Sequence, residues 1–248
     1  MTSIESGVQL FSRLNQKTFL EGINPHIFPE GPYPNQIVEI TGHPNVCKDD
    51  LLIDLLVKCI LPTEYCSEWK GSGAVFINTE FQINLFKIIK VIETHLNYKN
   101  VKEGRKGIIE DSLKNLTIYN CYGPEELEIT ILSLQKFIYS NENVNLVLID
   151  NITAHYWIAR QSSKMLSYYQ HSMKMLEKLY NVIKDLNTLL VYVRNDKESS
   201  RKNASMKIDY RIEVIEYEDK FKAVVTNFGN ESTGTIEFKV DIIVLFCV

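Results

Sequence analysis

A chain of 248 residues and 28.7 kDa is long enough to bury a large core, which excludes a miniprotein held by disulfides or metal. Apolar residues at 45% and charged residues at 23% match an ordinary globular protein and exclude global disorder and fibrous repeats. With 27 basic against 31 acidic residues the net charge is −4, so no global positive field draws the chain to nucleic acid, and any such contact must be local or shared with partners.

Five scattered cysteines with neither a C-x-x-C pair nor a nearby His spacing predict a reducing compartment rather than a disulfide framework or a zinc site. Apolar runs such as 242–248 fall far short of the ~20 residues that cross a bilayer. The N-terminal MTSIESGVQL lacks a basic region followed by an apolar stretch, so neither membrane insertion nor secretion is expected.

In chain order, a short helix is predicted over Gly7 to Leu14. The segment Asn24 to Asn35 follows, with four prolines in twelve residues, a composition suited to extended or turn structure. Within it Ile27, Phe28 and Tyr33 have no helical or strand period to bury them, which predicts exposed apolar surface and an obligate partner. Residues 1–35 are therefore a lead-in and residues 36–248 the core domain. The core opens with strand Gln36 to Thr41 and continues with helix Lys48 to Ile60, strand Ala74 to Asn78 and helix Phe81 to Leu96. Strand Leu116 to Asn120, helix Pro124 to Tyr139 and the unbroken apolar strand Val144 to Asp150 repeat the pattern. A long helix carries Met165, Tyr169, Met173, Leu176, Tyr180 and Ile183 at spacings of three to four, before strand Thr188 to Val193. Alternating strands and helices imply an α/β fold with a mostly parallel sheet covered on both faces. The polar stretch from Asn195 to Lys207 reads as a long loop. Beyond it the period turns to two, and Tyr210 to Tyr217, Lys222 to Asn227 and Thr235 to Phe246 read as antiparallel C-terminal strands.

The strand-to-helix junction Gly42-His43-Pro44-Asn45-Val46-Cys47-Lys48-Asp49 has the spacing of the phosphate loop G-x-x-x-x-G-K-[ST], with two substitutions. In the intact motif loop amides and a helix N-terminus surround phosphates, the lysine contacts them, and the hydroxyl ligates magnesium. Here Cys47 replaces the second glycine; a Cβ near phosphate or at positive φ would cost about 1–2 kcal/mol. Asp49 replaces the hydroxyl, and although it could ligate magnesium it sets a carboxylate beside a polyanion; two unit charges 4 Å apart repel by about 4 kcal/mol at an effective dielectric near 20. The other reading is an ordinary turn whose aspartates favour the helix dipole, with no nucleotide. Asp150 ends a strand where such an ATPase holds its metal-binding acid, and Glu80 stands where a general base orients water, although many parallel strands end in an acid.

The blocks ESGVQLFSRL, EITGHPNVCKDDLL, KCILP, VFINTEFQINL, LVLIDNITAHYWIAR and IDYR, in that order, resemble the RecA-type recombinase paralogues of eukaryotes, over residues 5–160 above all. The resemblance implies a RecA-like phosphate-loop ATPase core without the N-terminal helical domain of the full recombinase. It implies a nuclear protein of homologous recombination, DNA double-strand break repair and the DNA damage response, acting in a complex with other recombinase paralogues on single-stranded or branched DNA. It places Gly42, Cys47, Lys48 and Asp49 at nucleotide, Asp150 and Asp49 at metal, and Glu80 at the catalytic acid. ATP with Mg is the implied cofactor, weakly held or absent given Cys47 and Asp49, so the chain is read as a non-catalytic subunit, with an active DNA-dependent ATPase as the alternative. In related recombinases a Phe-x-x-Ala segment plugs into the neighbouring protomer; no phenylalanine here precedes alanine by three, so by that route the chain receives a neighbour without donating. Arg160 and Lys164, then Arg201, Lys202 and Lys207, follow two successive core strands where these proteins place their DNA-facing loops, or are simply solvated charge. Tyr156 and Trp157 either stack on a base or belong to the core. The five histidines show no mutual metal-binding spacing.

Overall fold

The computed structural model describes residues 20–44, 46–162, 166–195, 208–217, 220–241 and 244–247, together with Gly7. The expected helix over 7–14 and the loop from 195 to 207 lie mostly outside these residues.

The strands are β1 (Ile37–Gly42), β2 (Gly73–Asn78), β3 (Leu116–Asn120), β4 (Val144–Asp150) and β5 (Leu189–Asn195), followed by β6 (Tyr210–Tyr217), β7 (Lys220–Asn227), β8 (Ser232–Asp241) and β9 (Val244–Cys247). They form one sheet in the order β3-β2-β4-β5-β1-β6-β7-β8-β9. Every pairing from β3 through β6 is parallel, and β6 to β9 are joined antiparallel. The α/β class and the mostly parallel sheet with antiparallel C-terminal strands are as the periodicity predicts. The single strand expected from Thr235 to Phe246 is instead the hairpin β8–β9.

The helices are α1 (Lys48–Ile60), α2 (Leu85–Tyr98), α3 (Arg105–Lys114), α4 (Pro124–Ser140), α5 (Tyr156–Ser162) and α6 (Tyr168–Ile183). Along a strand successive side chains face opposite sides, and both sides are covered, so β1, β2 and β4 are buried at every position. Val38, Ile40, Phe76, Leu146, Leu148, Val191 and Val193 belong to one core with α1 and α2. Val75, Ile77, Val147, Ile149, Leu190 and Tyr192 face the other, against Leu127, Ile131, Leu134 and Ile138 of α4 and Met173, Leu176, Leu179 and Ile183 of α6.

Helix starts follow caps rather than apolar periodicity alone. Helix α2 begins at Leu85, not Phe81, because Asn84 Oδ1 accepts from Lys87 N at 2.9 Å while Phe81 has φ +62°. The predicted long helix is α6, opened by a Ser167–Gln170 capping box, with the short α5 as a separate helix before it; Met165 lies outside the described residues. The lead-in corrects another expectation. Ile27 and Phe28 are buried with Ile23 in the core, Phe28 lying edge-on to Tyr210 at 5.1 Å, whereas Tyr33 is exposed. Turn hydrogen bonds such as Phe28 N to Asn24 O at 2.8 Å hold that irregular backbone, so no regular period was needed to bury it.

The block Ile208-Asp209-Tyr210-Arg211 ties β6 to β1: Asp209 Oδ2 accepts from Ile37 N at 2.9 Å and Arg211 Nε donates to Glu39 at 2.5 Å. Glu39 is fully buried in β1 and also accepts from Tyr192 Oη at 2.8 Å and Arg194 Nε at 2.9 Å. Burial alone would raise its carboxyl, but Arg194 and Arg211 hold it below the ordinary range.

Candidate functional site

Parallel strands point their C-terminal ends to one edge of the sheet, and there β1, β2, β4 and β5 release the loops that carry the predicted residues. An open cleft of about 720 Å³ is lined by Pro44, Cys47, Lys48, Asp49 and Asp50 after β1, Thr79, Glu80 and Gln82 after β2, and Asn195 and Phe221. Gly42 ends β1 against β6, where a Cβ would stand 2.6 Å from the Val214 carbonyl oxygen, so only glycine fits.

Lys48 opens α1 but is 1% exposed, and its Nζ donates to the His43 carbonyl at 2.5 Å. Burial lowers its pKa, against the opposing pull of Asp49, Glu80 and Asp150. Cys47 precedes the helix with φ −72°, so the positive-φ part of the cost expected at this position does not arise; its Cβ and thiol still occupy the lining. Burial and nearby Asp50 push that thiol up to about 12. Burial likewise raises Asp49, while Lys87 pairs with Asp50 at 3.0 Å.

Asp150 is fully buried, and neither carboxylate oxygen has a hydrogen-bond partner. Burial, then the negative charges of Asp49 and Glu80, raise it to about 8. Glu80 is held from two sides: Oε1 accepts from Asn151 Nδ2 and, at 3.2 Å, from Asn195 Nδ2. Asn151 sits at φ +61° with its Oδ1 accepting from Thr153 N at 3.0 Å, a turn that aims its amide at Glu80. The Thr79 hydroxyl lies against the Asp150 and Asn151 carbonyls. Sequence reasoning missed Thr79, Asn151, Asn195 and Phe221; only the two asparagines carried a signal, as turn-forming residues at the ends of apolar strands.

Lys48, Asp49 and Glu80 therefore meet at one cleft, with Asp150 electrostatically coupled to all three. Arg160 does not join them. It is exposed on α5, its guanidinium 5.5 Å from the Trp157 ring centre and 5.9 Å from that of Tyr156. Tyr156 is core and Trp157 is 61% exposed. Lys164, Arg201, Lys202 and Lys207 lie outside the described residues.

The lining does not fit a magnesium-bound triphosphate. Pro44 has no amide hydrogen to offer, Lys48 is turned to a backbone carbonyl, and the carboxylates of Asp49, Asp50 and Glu80 in the lining oppose a polyanion.

Over 165 residues, 64% of this chain and 55% of the relative, the sequence is 26% identical to the protein named DNA repair protein XRCC2 of Mus musculus. It is 22% identical to the DNA repair protein XRCC2 homolog of Arabidopsis thaliana over 222 residues, 75% of this chain and 59% of that one. The chain is XRCC2-like in sequence. It matches between half and two thirds of the length of these XRCC2 relatives. No protein-family model matches it. Among the described residues no helix is long and apolar enough to cross a membrane.

Proposed function

We propose that this XRCC2-like chain is a subunit of a recombinase-paralogue complex that supports homologous-recombination repair of DNA double-strand breaks in the nucleus, with nucleotide handling vestigial. The observation that carries the second half is the cleft: its lysine is satisfied internally and its magnesium-side residue is a carboxylate. The similarity to two proteins named for DNA repair, joined to the sheet order, carries the first. DNA contact belongs to the complex, through Arg160 on its aromatic platform and the basic residues between 164 and 207. An acidic chain of net charge −4 makes no strong electrostatic footprint alone.

A second reading, a DNA-dependent ATPase, is favoured by one observation, that Lys48, Glu80 and Asp150 converge around a single cleft. Calorimetry separates the two. ATP with magnesium is expected to bind no tighter than high micromolar, and Cys47→Gly with Asp49→Thr to tighten it by removing a Cβ and a like charge. Submicromolar binding by the unaltered protein would select the ATPase. In cells lacking the protein, Lys48→Ala is expected to restore repair and co-purification with other paralogues, whereas a stably folded Lys48→Ala protein without repair activity would reverse the choice.

A further inference from the structure

A second recess, of about 280 Å³, lies between α4, α5 and α6 and shares no lining residue with the cleft. Its apolar wall is Leu127 of α4, Ile152 after β4, Ala159 of α5 and Met175 of α6. Leu127 and Ile152 are fixed members of the core between the sheet and these helices, so that part of the wall is rigid. At ~30 Å³ per water in the liquid the space equals about nine waters, the size of a benzene ring bearing a carboxylate and too small for a nucleotide.

The polar groups on the wall are mostly basic. Lys174 and Lys178 stand one turn apart on α6; Lys178 pairs with Glu128, whereas Lys174 has no ion-pair partner among the described residues. Helix α4 starts at the same recess with Pro124, the preceding Gly123 has no side chain to cap the first amides, and the helix dipole favours negative charge there. His155, which lines the recess and is 7% exposed, donates from Nε2 to the Cys121 carbonyl at 3.0 Å. That leaves Nδ1 to an occupant, as a donor when the ring is charged. His171, also on the wall, registers the local field: burial, then Lys174, Lys178 and His155, lower its imidazole. Glu125 is the one acid of the wall without an ion-pair partner among the described residues, set against Lys174, the helix start and the two imidazoles. An apolar wall with a few convergent basic groups is the composition of a site for a small organic anion, and a methionine there favours an aromatic body. We propose that this recess binds a small aromatic acid, its ring on Leu127, Ile152 and Met175 and its carboxylate toward Lys174 and His155. The assignment is independent of whether the cleft holds nucleotide, because the two share no wall.

The test titrates the full chain by NMR at low ionic strength, with benzoate as probe, benzamide as its uncharged counterpart and acetate as the charge without the ring. Benzoate is expected to saturate one site with a Kd of about 1 mM or tighter, and to bind at least about fivefold tighter than benzamide or acetate. Shifts should centre on the His155 and His171 imidazoles and the Met175 methyl. Ala159→Met, which fills the recess from a half-buried position, should abolish saturable binding. Lys174→Gln, at an exposed position that leaves the fold unchanged, should remove most of the preference for benzoate over benzamide. No saturation by benzoate, equal binding of benzamide or acetate, shifts centred elsewhere, or an undiminished effect in either folded variant would overturn the assignment. Thermal melts check the folding of both variants, and if Ala159→Met does not fold, Lys174→Gln and the shifts in the unaltered protein decide.

Discussion

Asp150→Asn should make the protein more stable, and increasingly so as the pH rises. The Asp150 carboxyl is completely buried, unbonded at both oxygens and raised from 3.8 to about 8 by burial and by Asp49 and Glu80. Between about pH 4 and pH 8 the folded chain keeps a proton that the unfolded chain has released, so the wild-type protein loses stability as the pH rises through that window. Above pH 8 the penalty is complete. At about 1.4 kcal/mol per pH unit the full displacement corresponds to on the order of 5 kcal/mol, and relaxation with water entry brings the expected gain to about 2–4 kcal/mol at pH 8.5. At pH 4.5 both residues are neutral in the fold and the gain should be small. Urea denaturation, followed by the fluorescence of Trp69, which is 1% exposed, should show the midpoint of the variant raised by about 1 M at pH 8.5. A gain independent of pH would show that Asp150 titrates alike in the folded and unfolded chain, and a loss of stability at pH 8.5 that it is ionised and stabilised in the fold; either would refute the account of Asp150 as an uncompensated buried acid.

Gly42→Ala should lower stability by about 1–3 kcal/mol, read as a drop in Tm, because the new methyl would lie 2.6 Å from the Val214 carbonyl oxygen and 2.9 Å from Val46 Cγ2. Phe28→Ala should cost the isolated chain about 3–5 kcal/mol, since the ring is 1% exposed in the core; an unchanged melt would return the lead-in to the role of a partner-facing patch. Asp54 in α1 is buried between His95 Nε2 at 3.0 Å and Lys58 Nζ at 3.2 Å. Burial would raise it, but Lys58 and His95 hold it below its ordinary 3.8, so its contribution is present above pH 4 and lost as the pH falls through its folded value. Asp54→Ala should cost about 3–5 kcal/mol at pH 7 in chemical denaturation, with the deficit shrinking toward pH 3.

The parallel core strands were legible in the sequence because burial on both faces leaves unbroken apolar runs, and a parallel sheet sends all their C-terminal ends to one edge. That rule alone, applied to Lys48, Asp49, Glu80 and Asp150, is enough to expect them in one place. Helix α3 was not legible: Ile108, Ile109 and Leu113 pack only partly against the core, and Gly107 interrupts the signal. Nor was the fate of Ile27 and Phe28, which irregular backbone buries without any period. Tertiary structure also decided the electrostatics. Glu39 and Asp150 are both acids on apolar parallel strands and both fully buried, so the local pattern treats them alike. Glu39 meets Arg194 and Arg211 from the neighbouring strands β5 and β6, and its charge is satisfied. Asp150 meets no donor and is left needing one, because whether a buried charge is compensated depends on what lies across the sheet rather than along the chain.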